Sequence, residues 1–131
     1  SVQLDCIDVW DGSDGTAATK AVFEANMAPV AGALTFNVIQ ATSLDAAKLY
    51  EDGSLYFVYL DVTKSYEGTY ANIRAWLPKI QQNGWLGGHW WDQRSDDTAT
   101  KYVRDACDEL IPGYETIWPP EANGPSWWFH K

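Results

Sequence analysis

Residues 54–62 read Ser54-Leu-Tyr-Phe-Val-Tyr-Leu-Asp-Val62, SLYFVYLDV, a nearly unbroken apolar run ending on an acid. A strand with one wet face alternates apolar and polar residues. An unbroken run instead suits a strand covered on both faces, as in a parallel sheet under helices. The flanks agree. Upstream, Glu51-Asp-Gly-Ser54 is a turn. Downstream, Tyr66, Tyr70, Ile73, Leu77 and Ile80 recur at steps of four and three, one face of an amphipathic helix over residues 65–80. Pro78 breaks its last turn. Asn83-Gly84 is then a helix-ending signal, and Trp85-Leu86 starts the next strand.

The same alternation runs outward. Residues 2–10 (VQLDCIDVW) and 34–40 (LTFNVIQ) read as strands, with a helix over 16–28 between them ending before Pro29. Ser43 can cap a short helix reaching Tyr50, with Asp45 near its positive end. A helix over 97–111 buries Tyr102, Val103, Ala106, Leu110 and Ile111 and stops at Pro112-Gly113. Residues 114–118 and 126–130 can close as an antiparallel pair. Alternating strands and helices make an α/β domain with a mostly parallel sheet of about six strands. Residues 1–131 read as one such domain. Ligands of such sheets sit beyond the carboxyl ends of the strands. Asp8–Trp10, Gln40–Ser43, Asp61–Lys64 and Gly88–Asp92 are therefore the tips expected to converge.

Composition narrows the partners. The net charge is −9 with a pI near 4.4, and no Lys/Arg run occurs. Such a surface repels phosphate backbones and anionic lipid, which argues against nucleic acid and membrane. No apolar run approaches the length of a bilayer span. Cys6 and Cys107 lie in apolar segments outside any Cys-x-x-Cys pair and read as two buried free thiols, fitting a reducing cytoplasm. Eight tryptophans serve mainly the core of so short a chain, and the Trp-rich C-terminal region also offers a surface for a homo-oligomer.

The stretch NGWLGGHWWD, residues 83–92, interleaves three glycines with three tryptophans. Gly84, Gly87 and Gly88 look suited to backbone that must come close to a ligand. Trp85, Trp90 and Trp91 read as filling, or as a stacking surface for a flat ligand.

Taken in order, IDVWDGS (7–13), FEANM (23–27), SLDAAKLYEDGSLYFVYLD (43–61) and SYEGTYANIRAWLPKIQQNGWLGGH (65–89) resemble the class I S-adenosylmethionine-dependent methyltransferases. The nearest pattern is that of their small-molecule O-methyltransferase-like group. The resemblance implies a Rossmann-like sheet entered at the family's second strand, truncated at the N-terminus, with an antiparallel C-terminal strand. It implies S-adenosylmethionine as cofactor and a small-molecule acceptor bearing a hydroxyl. Asp8 takes the position of the acid that holds the donor's ribose. Trp10 either stacks on the adenine or packs on the following helix. Gln40, Thr42 and Ser43 match the loop that meets the adenine. Asp61 lies near donor and acceptor, and His89 matches the histidine that takes the acceptor's proton, with Lys64 as a second candidate. No metal is expected, because one carboxylate makes a poor site for a hard cation.

The departures are equally specific. The family's first strand and Gly-rich loop have no counterpart, and no G-x-G-x-G occurs. Tyr56, Lys64, Asn72 and Trp90 stand where the family pattern has an acid, a histidine, an acid and an acid. They favour an alternative expectation: a methyltransferase-fold binding or assembly module without turnover.

Overall fold

The computed structural model describes residues 3–10, 18–30, 35–89, 102–118 and 125–131. The chain divides into two compact units, residues 1–46 and 47–131. Among the described residues no helix is long and apolar enough to cross a membrane.

In the first unit, β1 (Gln3–Asp8) and β2 (Thr35–Gln40) pair in parallel, in step from Gln3 opposite Thr35 to Asp8 opposite Gln40. Helix α1 (Ala18–Met27), extended by a 3₁₀ turn at Ala28–Val30, lies between them in sequence. Asn37 donates from Nδ2 to Asp5 Oδ1 at 2.8 Å, so polar side chains reinforce the pair. Cys6 is half-buried, against the sequence expectation, while Cys107 in the second unit is fully buried.

Helix α2 (Ser43–Ala47) begins one residue away from the expected cap. Thr42, not Ser43, does the capping. Its Oγ1 accepts from Asp45 N at 3.2 Å and donates to Asp45 Oδ2 at 2.9 Å, while Thr42 O accepts from Ala46 N. Ser43 is the first helical residue, one position past the cap.

In the second unit, β3 (Leu55–Leu60), β4 (Ile80–Gly88), β5 (Glu115–Ile117) and β6 (Ser126–His130) form a sheet in the order β3-β4-β6-β5. β3 and β4 are parallel. β6 runs antiparallel to both its neighbours, which makes β5 parallel to β4. The expected mostly parallel sheet with an antiparallel C-terminal strand is what forms. Helices α3 (Tyr66–Trp76) and α4 (Val103–Leu110) pack on each other. Ser65 caps α3, its Oγ accepting from Gly68 N at 3.1 Å. Tyr66 Oη donates to Glu109 Oε2 at 2.7 Å and ties the two helices.

The passage from α3 to β4 differs from the sequence reading. Pro78 lacks the N–H an α-helix needs, so α3 ends at Trp76, a 3₁₀ turn spans Leu77–Lys79, and the strand begins at Ile80. Asn83 (φ 64°) is not a helix stop but part of a bulge inside β4. The register shows it: Leu55 faces Ile80, yet Phe57 faces Trp85. Asparagine tolerates this left-handed backbone better than most residues. Lys131 serves the kink, its Nζ donating to Leu77 O (3.0 Å) and Ile80 O (2.6 Å) and its N to Gly84 O (3.0 Å).

The sheet's faces are unequal. Val58, Leu60, Leu86 and Trp127 share the face that meets α3 and α4. Phe57, Tyr59, Trp85 and Trp128 share the other, where Phe57, Tyr59 and Trp85 are exposed. Within this unit both described helices lie on one side, where they meet Leu60, while Tyr56 at the start of β3 stays exposed.

Two measurements check this layout. Thr42→Ala should cost about 1 kcal/mol, the worth of a helix cap, in urea unfolding. A thiol reagent should label Cys6 in the native protein and reach Cys107 only on unfolding. Burial, and next the charge of Asp108, push the Cys107 thiol up from its usual 9.0. The unfolded chain therefore loses that proton first, and stability should fall as pH rises above about 9. Cys107→Ala should remove part of that alkaline loss.

Candidate functional site

The tips of the parallel strands carry the candidate residues, and each unit holds its own set. In the first unit, β1 ends at Asp8, which folds back on the chain. Its Oδ1 accepts from Trp10 N at 3.0 Å, holding Trp10 in a left-handed conformation (φ 50°). Among the described residues its Oδ2 has no partner. Gln40 reaches across from the end of β2, Nε2 donating to Val9 O at 2.9 Å, and Ala41 N donates to Asp8 O at 3.0 Å. The two strand ends of this unit are thus tied together, with one carboxylate oxygen left over. Gln40 and Thr42 spend their side chains on the loop and the helix cap. Trp10 packs on α1, its ring 5.2 Å from that of Phe23. Its Nε1 is buried with no partner among the described residues.

In the second unit, the β3–β4 ladder extends one residue past the strands: His89 N donates to Leu60 O at 3.1 Å. This fixes the His89 backbone beside the last residue of β3. Asp61, the next residue, then lies alongside, with Oδ1 3.7 Å from His89 Nδ1. The gap exceeds hydrogen-bond range, so the contact is electrostatic and depends on a protonated imidazole. Asp61 is mostly exposed, and the His89 side chain mostly covered. Lys64 is exposed in the following loop. Among the described residues, no further His, Cys, Asp or Glu joins the pair in a group that could hold a metal.

His89 borders a shallow recess, partly open to solvent, with room for about one water molecule. Leu60, Val62 and Val103 supply its apolar wall; Thr63, Thr69, Asn72 and Trp127 supply the rest. Thr69 and Asn72 are buried, and Asn72 Nδ2 donates to Gly68 O at 2.8 Å. An amide thus replaces the family's acid there, and its donor is used within α3. Trp127 is 1% exposed, and its Nε1–H has no partner among the described residues. The sequence reading of site residues passed over Thr69, Val103 and Trp127. The available signal was bulk complementarity: the Gly87-Gly88 pair in one strand and the Trp127-Trp128 pair in another.

That complementarity also corrects the reading of the glycines. Gly87 pairs directly with Trp128, and Gly88 with Trp127, across the β4–β6 ladder. A Cβ on Gly87 would lie 2.4 Å from Trp128 Cε3, and one on Gly88 2.4 Å from Trp127 Cζ2. At Gly84 a Cβ would meet Ile80 Cγ2 and Tyr56 O, both at 2.7 Å. The space beside these glycines is filled by the chain's own rings and backbone, so packing, not ligand approach, requires them. Trp90, Trp91 and Asp92 lie outside the described residues.

A family of proteins described as methyltransferase domains matches residues 2–90. A search of curated proteins gave no significant match. Two solved structures share the fold. A Corynebacterium glutamicum protein is 24% identical with a TM-score of 0.61, over 97% of this chain and 60% of its own. The apo TDP-rhamnose 3′-O-methyltransferase of calicheamicin biosynthesis is 13% identical with a TM-score of 0.59, over 98% and 57%. The chain therefore spans about three fifths of the length of either structure. With the methyltransferase profile running through both strand-tip clusters, the chain belongs to the methyltransferase-domain family.

Proposed function

We propose that the chain acts in methyl transfer from S-adenosylmethionine to a small acceptor bearing a hydroxyl group. The observation that supports this most is the pairing of Asp61 with His89 at the joined tips of β3 and β4, beside a shallow recess, in a chain of this family. S-adenosylmethionine, when bound, supplies a methyl group on a positively charged sulfur, open to in-line attack by an oxygen. The chain's residues would do the rest. Asp8 fits a ribose: its Oδ1 is anchored by Trp10 N while its Oδ2 is available to accept a sugar hydroxyl. His89 turns Nδ1 toward Asp61, so Nε2 is the nitrogen that takes the acceptor's proton as the oxygen–methyl bond forms. Asp61 then stabilises the resulting imidazolium across 3.7 Å. Lys64, exposed in the loop after β3, is a second candidate for the proton.

A second reading, a binding module without turnover, is favoured by Asn72. Its buried amide sits where the family pattern has an acid and is hydrogen-bonded within its own helix.

Calorimetric titration with S-adenosylmethionine and S-adenosylhomocysteine tests both. Saturable binding is expected, and Asp8→Ala should weaken it roughly ten- to hundredfold, the worth of charge-assisted hydrogen bonds. His89→Gln should leave binding intact and abolish transfer to hydroxylated acceptors. Binding without transfer by the wild type would support the second reading. Absence of binding would sink both.

A further inference from the structure

We propose that the recess beside His89 is a subsite for one hydroxyl oxygen, held by the Nε1–H of Trp127. Trp127 is 1% exposed, and its Nε1 has no hydrogen-bond partner among the described residues. A buried indole N–H normally finds a partner, because the water it gave up is otherwise not replaced. The register fixes where this donor sits. The β4–β6 ladder sets Trp127 opposite Gly88, and the Cε2–Cζ2 edge of the ring lies where a Cβ on Gly88 would stand. Cε2 carries Nε1, so the N–H lies at the end of β4, one residue from His89.

Size and chemistry define the occupant. The recess has room for about one water molecule, hence for one oxygen. Leu60, Val62 and Val103 give it apolar walls, and the buried Thr69 adds a hydroxyl. Thr69 Oγ1 donates to Thr63 O at 3.5 Å, the outer limit of a hydrogen bond, and its lone pairs can accept from an occupant. The occupant therefore accepts from Trp127 and can donate to Thr69. A hydroxyl does both, whereas an ammonium only donates and a carboxylate only accepts. Charge agrees. An anion would lie close to Asp61, 3.7 Å from His89, in a chain of net charge −9.

Two sources supply such an oxygen. In the free protein it is a water. The second source rests on the methyl-transfer reading: the acceptor's hydroxyl displaces that water, with the rest of the acceptor outside the recess. Trp127 then holds the oxygen beside His89 and keeps its own proton throughout. Its N–H also stabilises the negative charge that grows on the oxygen as His89 takes the hydroxyl proton.

NMR of the whole chain, with nitrogen-15 in the tryptophan indoles, tests this. The Trp127 signal is the one lost in Trp127→Phe or, if that variant does not fold, the one in contact with the Gly88 α-protons. The expected result in the free protein is a cross-relaxation peak between Trp127 Nε1–H and a long-lived water. Phenol is then added as the hydroxylated probe, with S-adenosylhomocysteine present, and toluene as the control without oxygen. Loss of the water peak with a shift of the Trp127 N–H under phenol alone assigns the subsite to the acceptor's hydroxyl. A water peak that persists under saturating phenol assigns it to water. A Trp127 N–H that contacts neither water nor phenol, or that is bonded to a carbonyl of the chain itself, would overturn the proposal. So would displacement of the water by toluene as readily as by phenol. Failure of S-adenosylmethionine to bind in calorimetry would sink the methyl-transfer reading and leave the water peak in place.

Discussion

The second unit depends on a steric interlock between two strands that are forty residues apart in sequence. Gly87 and Gly88 of β4 lie directly opposite Trp128 and Trp127 of β6, and each indole lies over a glycine. Neighbouring strand residues point to opposite faces, so one ring fills the helix-covered side and the other builds the aromatic layer opposite. A glycine in mid-strand normally weakens a sheet through lost side-chain packing. Here the ring across the ladder supplies that packing.

The interlock reaches the chemistry through one residue. It sets β4 against β6, and the register of β4 against β3 carries His89 to the tip of β3, next to Asp61. The bulge at Asn83 contributes as well. It absorbs the surplus residues between Ile80 and Trp85, so that Trp85 falls opposite Phe57 and the ladder runs true from there to His89. In the first unit the ordering device is smaller: a carboxylate oxygen of Asp8 closing the turn at Trp10.

Much of the fold was legible because it rests on local signals. The runs at 54–62 and 34–40, the four-and-three spacing after Tyr66, and the antiparallel pairing of the segments 114–118 and 126–130 each became the expected element. What failed depends on contacts distant in sequence or on single-residue geometry. Nothing in the string Asn83-Gly84 separates a helix end from a strand bulge, since both want a left-handed residue. Thr42 and Ser43 are both good caps, and only backbone dihedrals choose between them. The glycines of residues 84–88 pointed to a ligand because their true partners, Trp127 and Trp128, are invisible without the register of β6. Of the site, Asp61 and His89 were readable from the family pattern and do come together within the second unit. Trp127, whose buried N–H has no partner among the described residues, and the buried Thr69 were not, because their place in the recess is a property of packing.

A double-mutant cycle at Gly88 and Trp127, followed by urea unfolding, tests the interlock most directly. Gly88 does not have a left-handed backbone, so the obstacle to a Cβ there is the indole. Gly88→Ala should cost roughly 1–3 kcal/mol in the wild type, as overpacking does. In the Trp127→Ala background the same change should cost nothing, or stabilise slightly by restricting the unfolded chain. An equal cost in both backgrounds would contradict the interlock and return the glycines to the role of leaving room for a ligand.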